Sequence, residues 1–320
     1  MSASPARTTT TPGYEARELS PGALHVLRWI PTPILIAIAA LWFIPTLGMI
    51  VASLRDWGNT ASGGWWNAMF SLDGWTLDAY RAVLDGSANN SFVDSMVNSF
   101  AIAVPATVIP LLIASWAAYA IVWIPFRGRL VVYAAIIALI AVPQQVVLIP
   151  LLQMYAGGAH LTVPIIDKTV TVFPDLDLAG TLPAVWLTHI GFAIPFAVLL
   201  LVSAMSSLPE SVVDSARSDG ATHSQTFWRI AFPLVRPALA SLAILLFLWA
   251  WNDFLIALTM IGGNNPENLP ATTRFSAVGV LVDGPLVAAA VLIHSSVAIA
   301  VFFALQRHFV RGLTVGAEGG

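Results

Sequence analysis

Few residues in the apolar runs of this chain carry charged or reactive groups. Asp253 is the one carboxylate well inside such a run, in Trp251-Asn252-Asp253-Phe254. An ionisable group in hydrocarbon is expensive and marks a functional position by default. Two readings fit Asn252 and Asp253: they line a path across a membrane, or they brace neighbouring helices. Gln144 and Gln145 follow Pro143, with Gln153 further on. Amides beside a proline either face a polar pathway or bind helices together. His189 and His294 lie in separate runs, outside any HExxH pattern, and no carboxylate stands at metal-ligand spacing from them. No metal site is therefore expected, which leaves packing or an isolated proton relay for the two rings. The chain has no cysteine, so thiolate ligands, disulfides and cysteine nucleophiles are excluded. No serine lies in a G-x-S-x-G elbow. Lys168 is the sole lysine and sits in no glycine-rich phosphate loop, so the chain holds no Walker A site. No catalytic residue and no cofactor are assigned.

The elements that position these residues are membrane spans. Of the 320 residues, 58% are hydrophobic and 10% charged, against about 25% charged in an ordinary soluble domain. Mean hydropathy is +0.81. Crossing a bilayer takes about 20 apolar residues. Six runs qualify: Ile30–Leu54, Val97–Ile124, Leu130–Tyr155, Leu182–Met205, Ala238–Ile261 and Pro285–Leu305. The fold class expected is all-α, an integral membrane protein of six transmembrane helices. Prolines 105, 110, 143, 150 and 195 fall inside the runs and predict kinks whose freed carbonyls find partners in neighbouring helices or a cavity. With the N-terminus inside, the inner segments hold ten of the fourteen Lys and Arg residues, including Arg127, Arg129, Arg217, Arg229, Arg236, Arg307 and Arg311. The outer segments hold Arg55, Arg81, Lys168 and Arg274. That bias predicts cytoplasmic N- and C-termini. Residues 1–28, rich in Thr, Pro, Ala and Ser, read as a disordered cytoplasmic tail. Residues 29–96 form the first span and a long outer segment, 97–306 the core, and 307–320 a C-terminal tail.

The longest polar interval in the second half is the inner loop 207–237, SLPESVVDSARSDGATHSQTFWRIAFPLVRP. Ser207 to Glu210 and Thr222 to Gln225 each have capping-box spacing. The first predicts a helix to about Ser218, closed by a left-handed Gly220. The second predicts a short helix carrying Phe227, Trp228 and Ile230, ended by Pro233 and Pro237.

The loop closely resembles the EAA motif of ABC importer permeases: EAA, three residues, Gly, nine residues, Ile, one residue, Leu-Pro. Here Asp214, Ser215 and Ala216 stand at EAA, followed by Gly220, Ile230 and Phe232-Pro233. Asp replaces Glu, Ser replaces the first Ala and Phe replaces Leu; the spacing is unbroken. Trp75 to Arg81, Asn98-Ser99, Trp251 to Phe254 and Gln306 to Ala317 are similar to the maltose-type carbohydrate branch. Asn98-Ser99 also has a local reading, as a cap for the next span. The resemblance covers about 75–317 and implies a type I ABC importer transmembrane domain. It implies a bacterial or archaeal cell-membrane permease that pairs with a second permease, two ATPase subunits and an external solute-binding protein, with sugar as cargo. In that family the EAA loop is the coupling helix seated on the ATPase. The turn-rich outer loop with Asn264, Asn265 and Glu267 corresponds to one that projects to the binding protein. From composition alone it is a solvated loop.

Alternatives remain at this stage. Trp57, Trp65, Trp66 and Trp75 form an interfacial aromatic belt or a sugar-stacking surface. The basic C-terminal run meets the ATPase or anionic lipid. A secondary transporter built on Asp253 lacks an acidic partner in the spans, an intramembrane enzyme lacks a nucleophile, and a passive channel has no use for a structured loop. No nucleic-acid partner is expected.

Overall fold

The computed structural model describes residues 32–56, 64–70, 73–85, 92–163, 168–262, 265–278 and 284–317. The N-terminal tail, Trp57 and Asn264 lie outside them. Among the described residues four helices are each long and apolar enough to cross a membrane: α1 (Thr32–Ser53), α3 (Phe92–Trp123), α6 (Leu182–Ser206) and the Gly284–Ala304 part of α13 (Gly284–Ala317). Two bent pairs raise the number of candidate spans to six. Between α1 and α3 lie a 3-10 turn (Trp65–Phe70) and α2 (Asp78–Leu84).

The part of α1 up to Gly48 forms a unit of its own, and its Leu41 and Trp42 are exposed. Such surface is costly in water and neutral in hydrocarbon. In the second unit, α3 packs along α6, and small residues make the approach possible: Ala114 and Ala118 on α3, Ala193 and Ala197 on α6, all buried. Close backbone approach through small side chains is how helices associate where no hydrophobic drive separates them from lipid. Leu201, Met205, Phe227, Leu242 and Leu246 complete this core.

Pro105 and Pro110 lie within α3 and Pro195 within α6, and these helices run on without a break. The breaks fall elsewhere. The third predicted span divides into α4 (Arg129–Ala138), a 3-10 turn (Leu139–Ala141) and α5 (Gln144–Gly157). The two halves are bent by 99° at Val142-Pro143. Pro143 is extended and stands as the N-cap of α5. The fifth predicted span also divides, into α10 (Arg236–Trp251) and α11 (Leu255–Ile261). At 1.5 Å per residue the sixteen residues of α10 reach about 24 Å, short of a hydrocarbon core of about 30 Å; the candidate span that contains α10 pairs it with the segment His223–Leu234 before it.

The segment between α5 and α6 holds the one β-sheet among the described residues. Strands β1 (Ala159–Val163) and β2 (Lys168–Phe173) pair antiparallel, with an irregularity between Ala159 and His160. The β-branched, alternating KTVTVF of β2 suits a strand.

Candidate functional site: the polar loop and the broken span

The polar loop forms α7 (Glu210–Ser218), α8 (His223–Thr226), a π-helical turn (Phe227–Ala231) and α9 (Phe232–Leu234). The first expected capping box is absent. Ser207 Oγ instead donates back to the Ala204 carbonyl at 2.8 Å, and extended Pro209 stands at the N-cap with no side-chain hydrogen bond. The serine hydroxyl is taken up by the preceding turn, and the first turn closes on the backbone, with Val212 N–H donating to the Pro209 carbonyl at 3.1 Å. The C-terminal end is as expected. Gly220 has φ +80°. Gly220 N–H reaches the Arg217 carbonyl and Ala221 N–H the Ala216 carbonyl, both at 3.0 Å, the paired bonds of a Schellman motif. The second capping box is also present: Gln225 N–H donates to Thr222 Oγ1 at 3.3 Å, and Thr222 N–H to Gln225 Oε1 at 2.8 Å. The chain passes Pro233 by one residue, ends α9 at Leu234 and turns by 74° into α10.

This loop is rooted on one side and open on the other. Val213 and Ala216 are buried, while Asp214, Ser215 and Gly220 are exposed. Arg217 Nη2 donates to the Trp123 carbonyl at the end of α3, and Arg217 Nη1 lies 3.6 Å from Asp214 Oδ1. A cation at a helix C-terminus complements the helix dipole. Behind the loop, Phe227 stacks on Trp116 with centroids 4.1 Å apart, and Tyr119 meets Phe227 edge-on at 5.4 Å. Ile230 and Pro233 are half-buried. The result is a short helix with a fixed exit, bound to the end of a membrane helix, presenting a carboxylate and small side chains outward.

Asp253, read from the sequence as lying inside a helix, lies in the gap between two. Its carboxylate accepts Ile256 N–H at 3.3 Å and Ala257 N–H at 3.0 Å, capping α11. Thr272 Oγ1 donates to its carbonyl at 2.5 Å. Asp253 Oδ2 also lies 3.5 Å from Nε2 of buried His189 on α6. Asn252 is exposed, and its Nδ2 turns back to the Leu248 carbonyl at 2.8 Å. Gln144 lines a cavity of about 290 Å³ with Val142, Phe192, Phe196 and Trp249, whereas Gln145 is exposed and does not line it. No hydrogen bond joins the glutamines to Asn252 or Asp253 among the described residues; Trp249, which lines the cavity with Gln144, is edge-on to His189 at 5.5 Å.

The loop that carries Asn265 and Glu267 is fastened to the elements beneath it. Asn265 and Asn268 side chains both donate to the Gly180 carbonyl, at 3.1 and 3.0 Å. A Cβ at Gly180 would collide with the Asn265 amide. Asn98 Nδ2 donates to the carbonyls of Glu267 (2.6 Å) and Leu269 (3.3 Å), and Ser99 Oγ accepts Ala271 N–H at 3.0 Å. Asn98 and Ser99 are thus not a cap, because α3 begins at Phe92; they tie this loop to α3. Arg274 adds a 2.6 Å bond to Ser95 Oγ and another to the Pro266 carbonyl. The Glu267 side chain is exposed.

Residues 110–315 match the family described as binding-protein-dependent transport system inner membrane component. The chain is 38% identical over 297 residues to the osmoprotective compounds uptake permease protein GgtD of Synechocystis, covering 90% of this chain and 92% of that one. It is 41% identical over 247 residues to the alpha-glucoside transport system permease protein AglG of Rhizobium meliloti, covering 77% and 60%. In fold it is similar to a chain of a bacterial alginate ABC transporter crystallised with an alginate pentasaccharide-bound periplasmic protein: TM-score 0.64, 14% identity, 89% and 95% coverage. The chain belongs to the family of inner membrane components of binding-protein-dependent transport systems and is a permease with an ABC importer fold.

Proposed function

We propose that this chain is one of two related permease subunits of an ATP-driven sugar importer, carrying an oligosaccharide or glycoside delivered by an external solute-binding protein. Two ATPase subunits supply the hydrolysis, and both termini lie on their side of the membrane. The permease names of its relatives, alpha-glucoside and trehalose among them, support a glycosidic cargo. The observation that carries the coupling role is α7, exposed at Asp214 and Ser215, closed at Gly220, and joined to the end of α3 through Arg217. Asp214, Ser215 and Gly220 form the surface that seats on an ATPase, while buried Ala216, at the EAA position beside them, roots the helix from behind, and Ile230 and Pro233 shape its return to the membrane.

In the transport cycle, ATP favours one permease state through contacts made at this helix and not in the other state. The movement passes through α3 to the broken spans, which open to each side in turn. Gln144, Gln145, Asn252 and Asp253 serve the pathway or its helix interfaces. The cavity beside Gln144 offers aromatic faces and one amide, a surface suited to a pyranose ring. Asn264, Asn265 and Glu267 belong to the loop that meets the binding protein, and the core permease unit runs over 97–306.

The test is uptake of labelled α-glucosides into proteoliposomes holding this chain, its partner permease and the ATPase pair, with binding protein outside and ATP inside. Uptake that needs both ATP and binding protein supports the proposal. Uptake by this chain alone on an ion gradient overturns it.

A further inference from the structure

Two buried histidines bracket the break between α10 and α11. On the α10 side, the His294 ring of α13 stacks on the Trp251 indole, with centroids 4.8 Å apart and planes 11° apart. The Trp251 indole N–H donates to the His294 carbonyl at 3.3 Å. On the α11 side, His189 of α6 faces Asp253 across 3.5 Å. His189 is 1% exposed and His294 3% exposed, and no ring nitrogen of either has a hydrogen-bond partner among the described residues. Buried nitrogens without partners are rare and costly, and packing alone is better served by an apolar side chain. Of the two His189 nitrogens, Nε2 faces Asp253. Asp253 Oδ2 lies within ion-pair range, and the same oxygen accepts Ala257 N–H. The 3.5 Å separation is about half an ångström longer than an N–H···O hydrogen bond.

We infer that His189 is a positioning residue: its imidazole holds the carboxylate of Asp253, and through that cap α6 sets the direction of α11 relative to α10. The inference rests on the transport reading above, in which the break is a hinge. The contact tightens in one state of the cycle and loosens in the other, so that α11 swings only when α6 permits it. His294 and Trp251 hold the α10 side of the hinge still.

The experiment uses the full complex in proteoliposomes and reads substrate taken up per ATP hydrolysed, together with ATP hydrolysis in the absence of binding protein. His189→Leu is expected to raise the unstimulated hydrolysis by about tenfold, the scale of one lost contact to a charged group, and to lower uptake per ATP. His189→Gln keeps a donor and is expected to restore the ratio. Asp253→Asn is expected to match His189→Leu, and the double variant to be no worse than either, because the two side chains act as one contact. A normal uptake-to-hydrolysis ratio in His189→Leu, or additive defects in the double variant, overturns the inference. If His189→Leu does not assemble, Asp253→Asn decides: a normal ratio overturns, uncoupled hydrolysis supports. Failure of the transport reading is a separate result, in which the unaltered complex takes up nothing on ATP.

Discussion

Replacing Gly220 tests the coupling role of α7 directly, because the structure separates the backbone effect from the steric one. Gly220 sits at φ +80°, and a Cβ built there meets nothing within 4 Å. Gly220→Ala therefore adds no clash and leaves only the left-handed penalty, about 1–2 kcal/mol. That lowers the population of the closed cap by about five- to thirtyfold relative to open forms. Gly220→Asn suffers less, since asparagine tolerates this region. Gly220→Pro is worst, for three reasons: proline requires φ near −65°, removes the N–H given to the Arg217 carbonyl, and disfavours helical backbone at Asp219. The added cost is about 1 kcal/mol for the lost bond on top of the strain. The assay is uptake per ATP by the reconstituted complex, with surface labelling or membrane fractionation to confirm insertion. The expected order is Gly, then Asn, then Ala, then Pro, with Pro abolishing coupled uptake while the chain still inserts. Normal coupling in Gly220→Pro would falsify the coupling role of α7. An Ala variant worse than Pro would show that something other than backbone conformation is at work.

Three further outcomes follow from the same geometry. Thr222→Ala removes the second capping box and is expected to cost about 1 kcal/mol, read as a lower midpoint for thermal aggregation in detergent; Thr222→Ser restores most of it. Arg217→Ala frees α7 from the Trp123 carbonyl, so ATP hydrolysis persists while uptake per ATP falls; unchanged coupling would show that the loop does not act through α3. Phe227→Ala empties a fully buried position stacked on Trp116 and is expected to cost about 3–5 kcal/mol, seen as poor assembly of the complex, while exposed Trp228→Ala costs far less.

Much of the fold was legible in the sequence because lipid imposes a simple rule: long apolar runs become helices. The loop was legible at Gly220 and at Thr222 to Gln225, where local chemistry settles the backbone. It was misleading at Ser207, because Pro209 takes the N-cap and the serine hydroxyl satisfies itself on the preceding turn. The break at Asn252 to Phe254 was written in the letters but read as polar groups inside a helix. An acid followed by an apolar turn is an N-cap signal, and within a membrane run the capping reading competes with the buried-charge reading. Pro143 was read as a kink, yet a 99° turn also needs partners from other helices, which local sequence does not specify. Pairings such as His189 with Asp253, Asn98 with Glu267 and Arg274 with Ser95 join residues 64 or more positions apart, and no local pattern announces them. The paired strands Ala159–Val163 and Lys168–Phe173 carry a strand signal in the alternation of β2, in the segment between two spans.

The central claim, that α7 is where an ATPase takes hold, is tested most directly by co-purification. The tagged chain is drawn from solubilised native membranes with and without residues Asp214–Gly220. The account predicts that an ATPase and a second permease come with the intact chain, and that deletion loses the ATPase while keeping the permease. Retention of the ATPase by the deleted chain, or an intact chain that purifies alone and transports without ATP, would contradict it.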